Sequence, residues 1–127
     1  MNLVDCTLVE ERKGFYLDAK EFRIPLPAKM PSELGNYIDA EVKMGIRPED
    51  IYESKSSEGL THENAIRMTL DLIESVRPYL LLHLRAGRIP LVATVKHTET
   101  GVSQETIMEM DHSKIHLFDE RTTQAIM

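Results

Sequence analysis

Hydrophobic and polar residues alternate with a two-residue period through most of this chain. The clearest run is Ala40-Glu41-Val42-Lys43-Met44-Gly45-Ile46. Ala40, Val42, Met44 and Ile46 fall on one face, and Glu41, Lys43 and Gly45 on the other, which predicts a half-buried strand. Burying the larger three apolar residues stabilises the fold by roughly 1.5–3 kcal/mol each. Gly45 has no side chain, so a second backbone is expected to approach closely on its face. The strand ends in Arg47-Pro48-Glu49-Asp50. Arg47 is held extended by the following proline. Pro48 lacks an N–H and stops the ladder, and Glu49 and Asp50 suit the first turn of a short helix.

The same period recurs on both sides. Residues 3–11 alternate, with Val4, Cys6 and Leu8 on one face. Arg12-Lys13-Gly14 reads as a turn. Phe15 and Leu17 share a face of a short second strand, and Asp18-Ala19-Lys20 turns again. Phe22, Ile24 and Leu26 then alternate with Glu21, Arg23 and Pro25. Pro25 and Pro27 mark this third strand as an edge or its end. Pro31-Ser32-Glu33-Leu34 opens one short helix, with Gly35 and Asn36 limiting its length. Glu53 to Glu63 is polar and reads as a surface loop between two halves, 1–54 and 61–127.

Residues 64–76 fit two patterns. Ile66, Met68, Leu70 and Leu72 alternate as in a strand, while Ala65, Met68, Leu72 and Val76 form a helical stripe that Thr61 is placed to cap. The next stretches are plainer. Leu80, Leu82, Leu84 and Ala86 alternate, Gly87-Arg88 signals a tight turn, and Ile89, Leu91, Ala93 and Val95 alternate again. Lys96 to Glu105 is a second polar loop. Thr106 to Met110 is a short strand, Asp111 to Lys114 a turn, Ile115 to Phe118 the last strand, and 119–122 a final turn. Many short strands at this spacing predict an all-β fold, a small barrel with one short helix, in a single domain over 1–127.

Charge and composition narrow the function. The chain is 42% hydrophobic and 28% charged, as in ordinary globular proteins, and its net charge is −6. A phosphate-backbone binder needs clustered Lys and Arg, so no nucleic-acid partner is expected. Phe15, Phe22, Phe118 and the four tyrosines are spread out rather than arrayed over a basic groove, and Arg85 and Arg88 make only a small basic turn. Cys6 is the one cysteine, so no internal disulfide forms, and its position predicts a buried, inert thiol. The opening residues show no basic-then-apolar leader, and no segment approaches the ~20 apolar residues that span a bilayer.

Three stretches, in order, carry a resemblance. They are Met1-Asn2-Leu3-Val4-Asp5-Cys6-Thr7-Leu8, then Gly45-Ile46-Arg47-Pro48-Glu49-Asp50-Ile51, then Asp111-His112-Ser113-Lys114-Ile115-His116-Leu117-Phe118-Asp119. Together they resemble the C-terminal TOBE domain, OB-like in fold, of ATP-binding subunits of bacterial sugar-importing ABC transporters. The resemblance spans nearly the whole chain and favours the strand at 64–76. It implies a non-catalytic accessory and regulatory domain, with an ATPase domain upstream that is not in this chain. The implied partners are that ATPase domain, a second subunit in a homodimer, and the membrane permease, at the cytoplasmic inner face of the membrane. ATP and Mg²⁺ are implied only for the ATPase domain, and no cofactor for this chain. The sequence departs from the family at Val76-Arg77-Pro78-Tyr79, where many members have Leu-Gly-x-Glu, and at Ser103, where glycine is common. Those turns tolerate variation, so the departures bear on ligand contacts more than on the fold.

Candidate chemistry is sparse. None of the six glycines opens a Gly-x-x-x-x-Gly-Lys-Ser/Thr pattern, so no ATP hydrolysis is expected of this chain. His112 and His116 are four apart. On a helix they face one way, but on a strand they stand roughly 13 Å apart, and 111–114 reads as a turn. His116 is expected to pack beside Phe118 or lie at an interface, and no metal is expected. Arg47 has the fork to bind a carboxylate in two parallel hydrogen bonds, and Asp119 is a fitting partner. That pair reads as a clamp within the domain, or else Arg47 contacts the ATPase domain. The candidate structural and interface residues are therefore Gly45, Arg47, Pro48, Glu49, His116, Phe118 and Asp119. A rival reading is a small-ligand module for an oxyanion or an oligosaccharide; the Ser-Ala-Arg-Asn-type motif of molybdate-binding relatives is absent.

Overall fold

The computed structural model describes residues 1–11, 14–27, 32–54, 65–96 and 104–126. The expected turn at Arg12-Lys13, Pro31, most of the loop to Glu63 with Thr61 and His62, and His97 and Ser103 lie outside the described residues.

The described residues form two antiparallel sheets of five strands. In chain order the strands are β1 Asn2–Glu11, β2 Gly14–Asp18, β3 Arg23–Pro25, β4 Glu41–Ile46, β5 Ile51–Glu53, β6 Ala65–Val76, β7 Tyr79–Ala86, β8 Ile89–Lys96, β9 Glu105–Met110 and β10 His116–Asp119. Short 3-10 turns cover Ser32–Tyr37, Pro48–Asp50 and His112–Lys114. The first sheet runs β10-β4-β1-β2-β3 and the second β5-β9-β6-β7-β8. The all-β, OB-like class read from the sequence is what the chain adopts. The short helix expected at Pro31-Ser32-Glu33-Leu34 is the 3-10 turn Ser32–Tyr37, one of three such turns among the described residues, and it runs through Gly35 and Asn36 instead of stopping at them.

The sheets do not divide at the loop between 1–54 and 61–127. β10, from the second half, pairs with β4, matching His116 to Gly45 and Leu117 to Met44. β5, from the first half, pairs with β9, matching Ile51 to Met110. Each sheet thus takes its end strand from the other half, and both contribute to one apolar core. Val4, Cys6 and Leu8 of β1 are buried, as are Val42, Met44 and Ile46 of β4. Leu80, Leu82, Leu84 and Ala86 of β7 are buried with Leu91 and Ala93 of β8. Phe22, Ile24 and Leu26 are also buried, and β3 is the sheet edge that its prolines predict.

Residues 65–76 settle as a strand. The predicted alternation holds through Ile66, Met68 and Leu70, and a register shift between Leu70 and Leu72 then changes the phase. Leu72 comes opposite His83, and Ile73 opposite Leu82. Beyond this bulge Leu72, Ile73 and Val76 of β6 and Tyr79 at the turn are exposed, while Leu80 and Leu82 of the paired β7 stay buried. The family departure at Arg77-Pro78 forms that turn, with a cis peptide bond.

Candidate functional site

Three of the predicted residues come together on the outer face of the first sheet. Gly45 sits in β4 between Leu3 of β1 and His116 of β10. A Cβ added there would lie 2.6 Å from the Met1 sulfur and 2.9 Å from Cε2 of Phe118. Gly45 therefore admits an aromatic ring and a thioether, and not the second backbone that the sequence suggested. The ring centroids of His116 and Phe118 are 6.5 Å apart, so His116 packs beside Phe118. Met1 and Leu3 complete this face, 57% and 60% exposed.

Asp119, at the end of β10, does not pair with Arg47. Tyr37 donates its hydroxyl to one Asp119 carboxylate oxygen at 2.9 Å. The other oxygen accepts the backbone N–H groups of Arg121 at 2.8 Å and Thr122 at 3.0 Å. The Thr122 amide, then the Tyr37 hydroxyl and the Arg121 amide, hold the carboxyl below its ordinary range. The same contact, ahead of burial, raises the Tyr37 phenol. The clamp between distant parts of the chain is thus made by a tyrosine from the Ser32–Tyr37 turn. Arg47 is exposed, extended at φ −75° and ψ 148°, and followed by the predicted Pro48–Asp50 turn. Pro48 is half-buried and Glu49 exposed.

Other charges are taken up locally. Arg85 of the expected basic turn forms two hydrogen bonds to Asp71, at 2.7 and 3.1 Å. Lys43 pairs with Asp5 at 3.0 Å. Cys6 lies under a cleft lined by Asp5, Asp18, Glu41 and Glu120. Burial, then Asp5 and Asp18, pushes its thiol up to about 12, which leaves it protonated and unreactive. Among the described residues no group of three or more His, Cys, Asp or Glu side chains is set to hold a metal ion. His112 lies in the His112–Lys114 turn, which Asp111 caps by accepting from the Ser113 N–H, and His116 lies in the strand beyond it.

Sequence reasoning missed Asn2 and the pair Tyr52 and Tyr79. Asn2 lies just before the alternating residues 3–11 and carries no local signal of a role. Its amide bridges β1 to β8, donating to the Val92 carbonyl at 2.9 Å and accepting from the Val92 N–H at 2.8 Å. Tyr52 of β5 and Tyr79 of β7 are 27 residues apart in number, yet they line one cleft with Glu49, Thr94, Val95 and Lys96. No local spacing signals either arrangement. No helix among the described residues is long and apolar enough to cross a membrane.

Comparison with known proteins agrees with this fold. Residues 1–51 match the family model of the MalK OB fold domain. The chain is 33% identical to the trehalose/maltose import ATP-binding protein MalK of Thermococcus litoralis, over 99% of this chain and 34% of that protein. It is 30% identical to the sn-glycerol-3-phosphate import ATP-binding protein UgpC of Escherichia coli K12, over 99% of this chain and 33% of the relative. The UgpC of Shigella boydii is 29% identical over the same shares. The chain therefore spans about one third of the length of the curated relatives it matches. Residues 1–51, which hold the opening strand and the hinge, thus match a MalK OB fold domain, and the chain as a whole is similar along nearly its entire length to import ATP-binding proteins.

Proposed function

We propose that this chain is the non-catalytic accessory and regulatory domain of an ATP-binding subunit in an importer of sugars or related carbohydrates. Its similarity over 99% of its length to import ATP-binding proteins about three times as long is the observation that carries this reading. The partners are an ATPase domain in the same subunit, a second subunit, and the permease that the ATPase domains drive from the cytoplasmic face. ATP and Mg²⁺ belong to that ATPase domain. The apolar face of Met1, Leu3 and Phe118 supplies a contact surface, and contact in one conformation but not another biases an open–closed equilibrium without chemistry.

The test is light scattering and ATP turnover on this chain alone and on the chain joined to its ATPase domain. The chain alone shows no turnover; the joined protein hydrolyses ATP and dimerises, and Leu3→Asp shifts it toward monomer. A gene that encodes no nucleotide-binding segment together with this chain overturns the reading.

A further inference from the structure

The open edge of β8 is already read by one polar side chain. β8 is the last strand of its sheet, paired only with β7 among the described residues. In an antiparallel ladder, alternate residues turn both N–H and C=O to the same side. Val92 turns its pair outward, and the Asn2 amide satisfies both groups. Thr94 and Lys96 follow at the same two-residue spacing, so their N–H and C=O groups also face the open edge. Pro90, on the near side of Val92, has no N–H to offer. Among the described residues, the part of this edge with no hydrogen-bond partner therefore begins at Thr94, with the Pro48–Asp50 turn and β5 packed beside it.

That part opens on a cleft of about 570 Å³, within the range of small-molecule sites. Tyr52 and Tyr79 flank it, 42% and 44% exposed. Glu49 and Lys96 bring one carboxylate and one ammonium, and Thr94 brings a hydroxyl. Burial, then Glu109 and Asp111, raises the Tyr52 phenol, so it remains a hydrogen-bond donor. Balanced charge in a protein of net charge −6 gives an anion no advantage over a neutral ligand. Two exposed aromatic rings favour a ligand with an apolar face, and paired backbone donors and acceptors favour one whose groups both donate and accept. Hydroxyls on a sugar ring have both properties.

We propose that the cleft between β5 and β8 is a saccharide site, with Tyr52 and Tyr79 against the ring faces and Thr94, Glu49 and Lys96 on the hydroxyls. That the bound saccharide reports on import rests on the function proposed above; the binding itself does not.

Isothermal titration calorimetry of this chain with trehalose and with maltose is the test, paired with amide chemical shifts. Saturable binding of at least one of them is expected, with shifts centred on Thr94, Val95 and Lys96. Tyr52→Ala and Tyr79→Ala each weaken it about tenfold or more, while Arg23→Ser, on the far edge of the other sheet, leaves it unchanged. Tyr52→Phe and Tyr79→Phe keep the rings and most of the affinity. No saturable heat with either sugar overturns the proposal. So does binding that survives both alanine variants, or preferential binding of adenosine or inorganic phosphate. Loss of subunit dimerisation with sugar binding intact would overturn only the accessory-domain reading.

Discussion

Asn2 takes the place of a missing strand beside Val92. Its amide donates to the Val92 carbonyl and accepts from the Val92 N–H, as a neighbouring peptide unit would, and also donates to the Ile46 carbonyl at 3.3 Å. One short side chain thus ties β1 and β4 of the first sheet to the edge of the second.

Asn2→Ala is therefore expected to destabilise the chain by about 1–3 kcal/mol, because two groups of Val92 lose their partner in a partly buried setting. Asn2→Asp is expected to be no better, since a carboxylate accepts the N–H but repels the carbonyl. Urea denaturation of both variants checks this.

Gly45→Ala is expected to cost about 1–3 kcal/mol, the usual range for overpacking. The new methyl meets the Phe118 ring at 2.9 Å, and an aromatic ring yields less readily than the Met1 side chain. Phe118→Ala in the same chain is expected to recover part of the loss, giving a non-additive double-mutant cycle.

The Tyr37–Asp119 contact sets an acid dependence. The Asp119 carboxyl is held below its unfolded value, so its contribution is complete above the ordinary carboxylate range and is lost as pH falls through the folded value. Tyr37→Phe removes the hydroxyl donor, and is expected to lower stability at pH 7 and to reduce the further loss on acidification. Thermal unfolding of both proteins from pH 7 to pH 3 measures the difference.

Cys6 sets an alkaline dependence of the opposite sign. Its folded thiol stands at about 12 against the ordinary 9.0, so the unfolded chain releases the proton first. The stabilisation is complete below about pH 8.5 and declines as pH rises toward the folded value. Cys6→Ala is expected to flatten that decline. In the native chain, alkylation by iodoacetamide at pH 8 is expected only as fast as the core opens.

Strand phase was legible wherever one face is buried and the other wet. The runs at 40–46, 80–86 and 89–95 and the trio Phe22, Ile24 and Leu26 point inward as their alternation predicts. The Pro48–Asp50 turn was legible for a local reason: a proline without an N–H, followed by two acids, ends a ladder in any context. Leu72 was not legible, because the bulge that turns it outward depends on the fit of β6 to two neighbours at once. Nor was the partner of Asp119. Residue types matched Arg47 to it well, but a pairing needs the two groups to meet, and only the placement of the Ser32–Tyr37 turn against β10 decides which donor does.

By itself, then, the sequence determined the two-residue period, the ends of its strands and the faces they bury, since these follow from backbone geometry and the transfer of apolar groups from water. The tertiary structure alone decided that β5 and β10 exchange sheets, that Asn2 closes on Val92, and that Tyr52 and Tyr79 share a cleft. Those outcomes join residues dozens of positions apart, and a repeating pattern of apolar positions carries no record of which strand edges come to lie side by side.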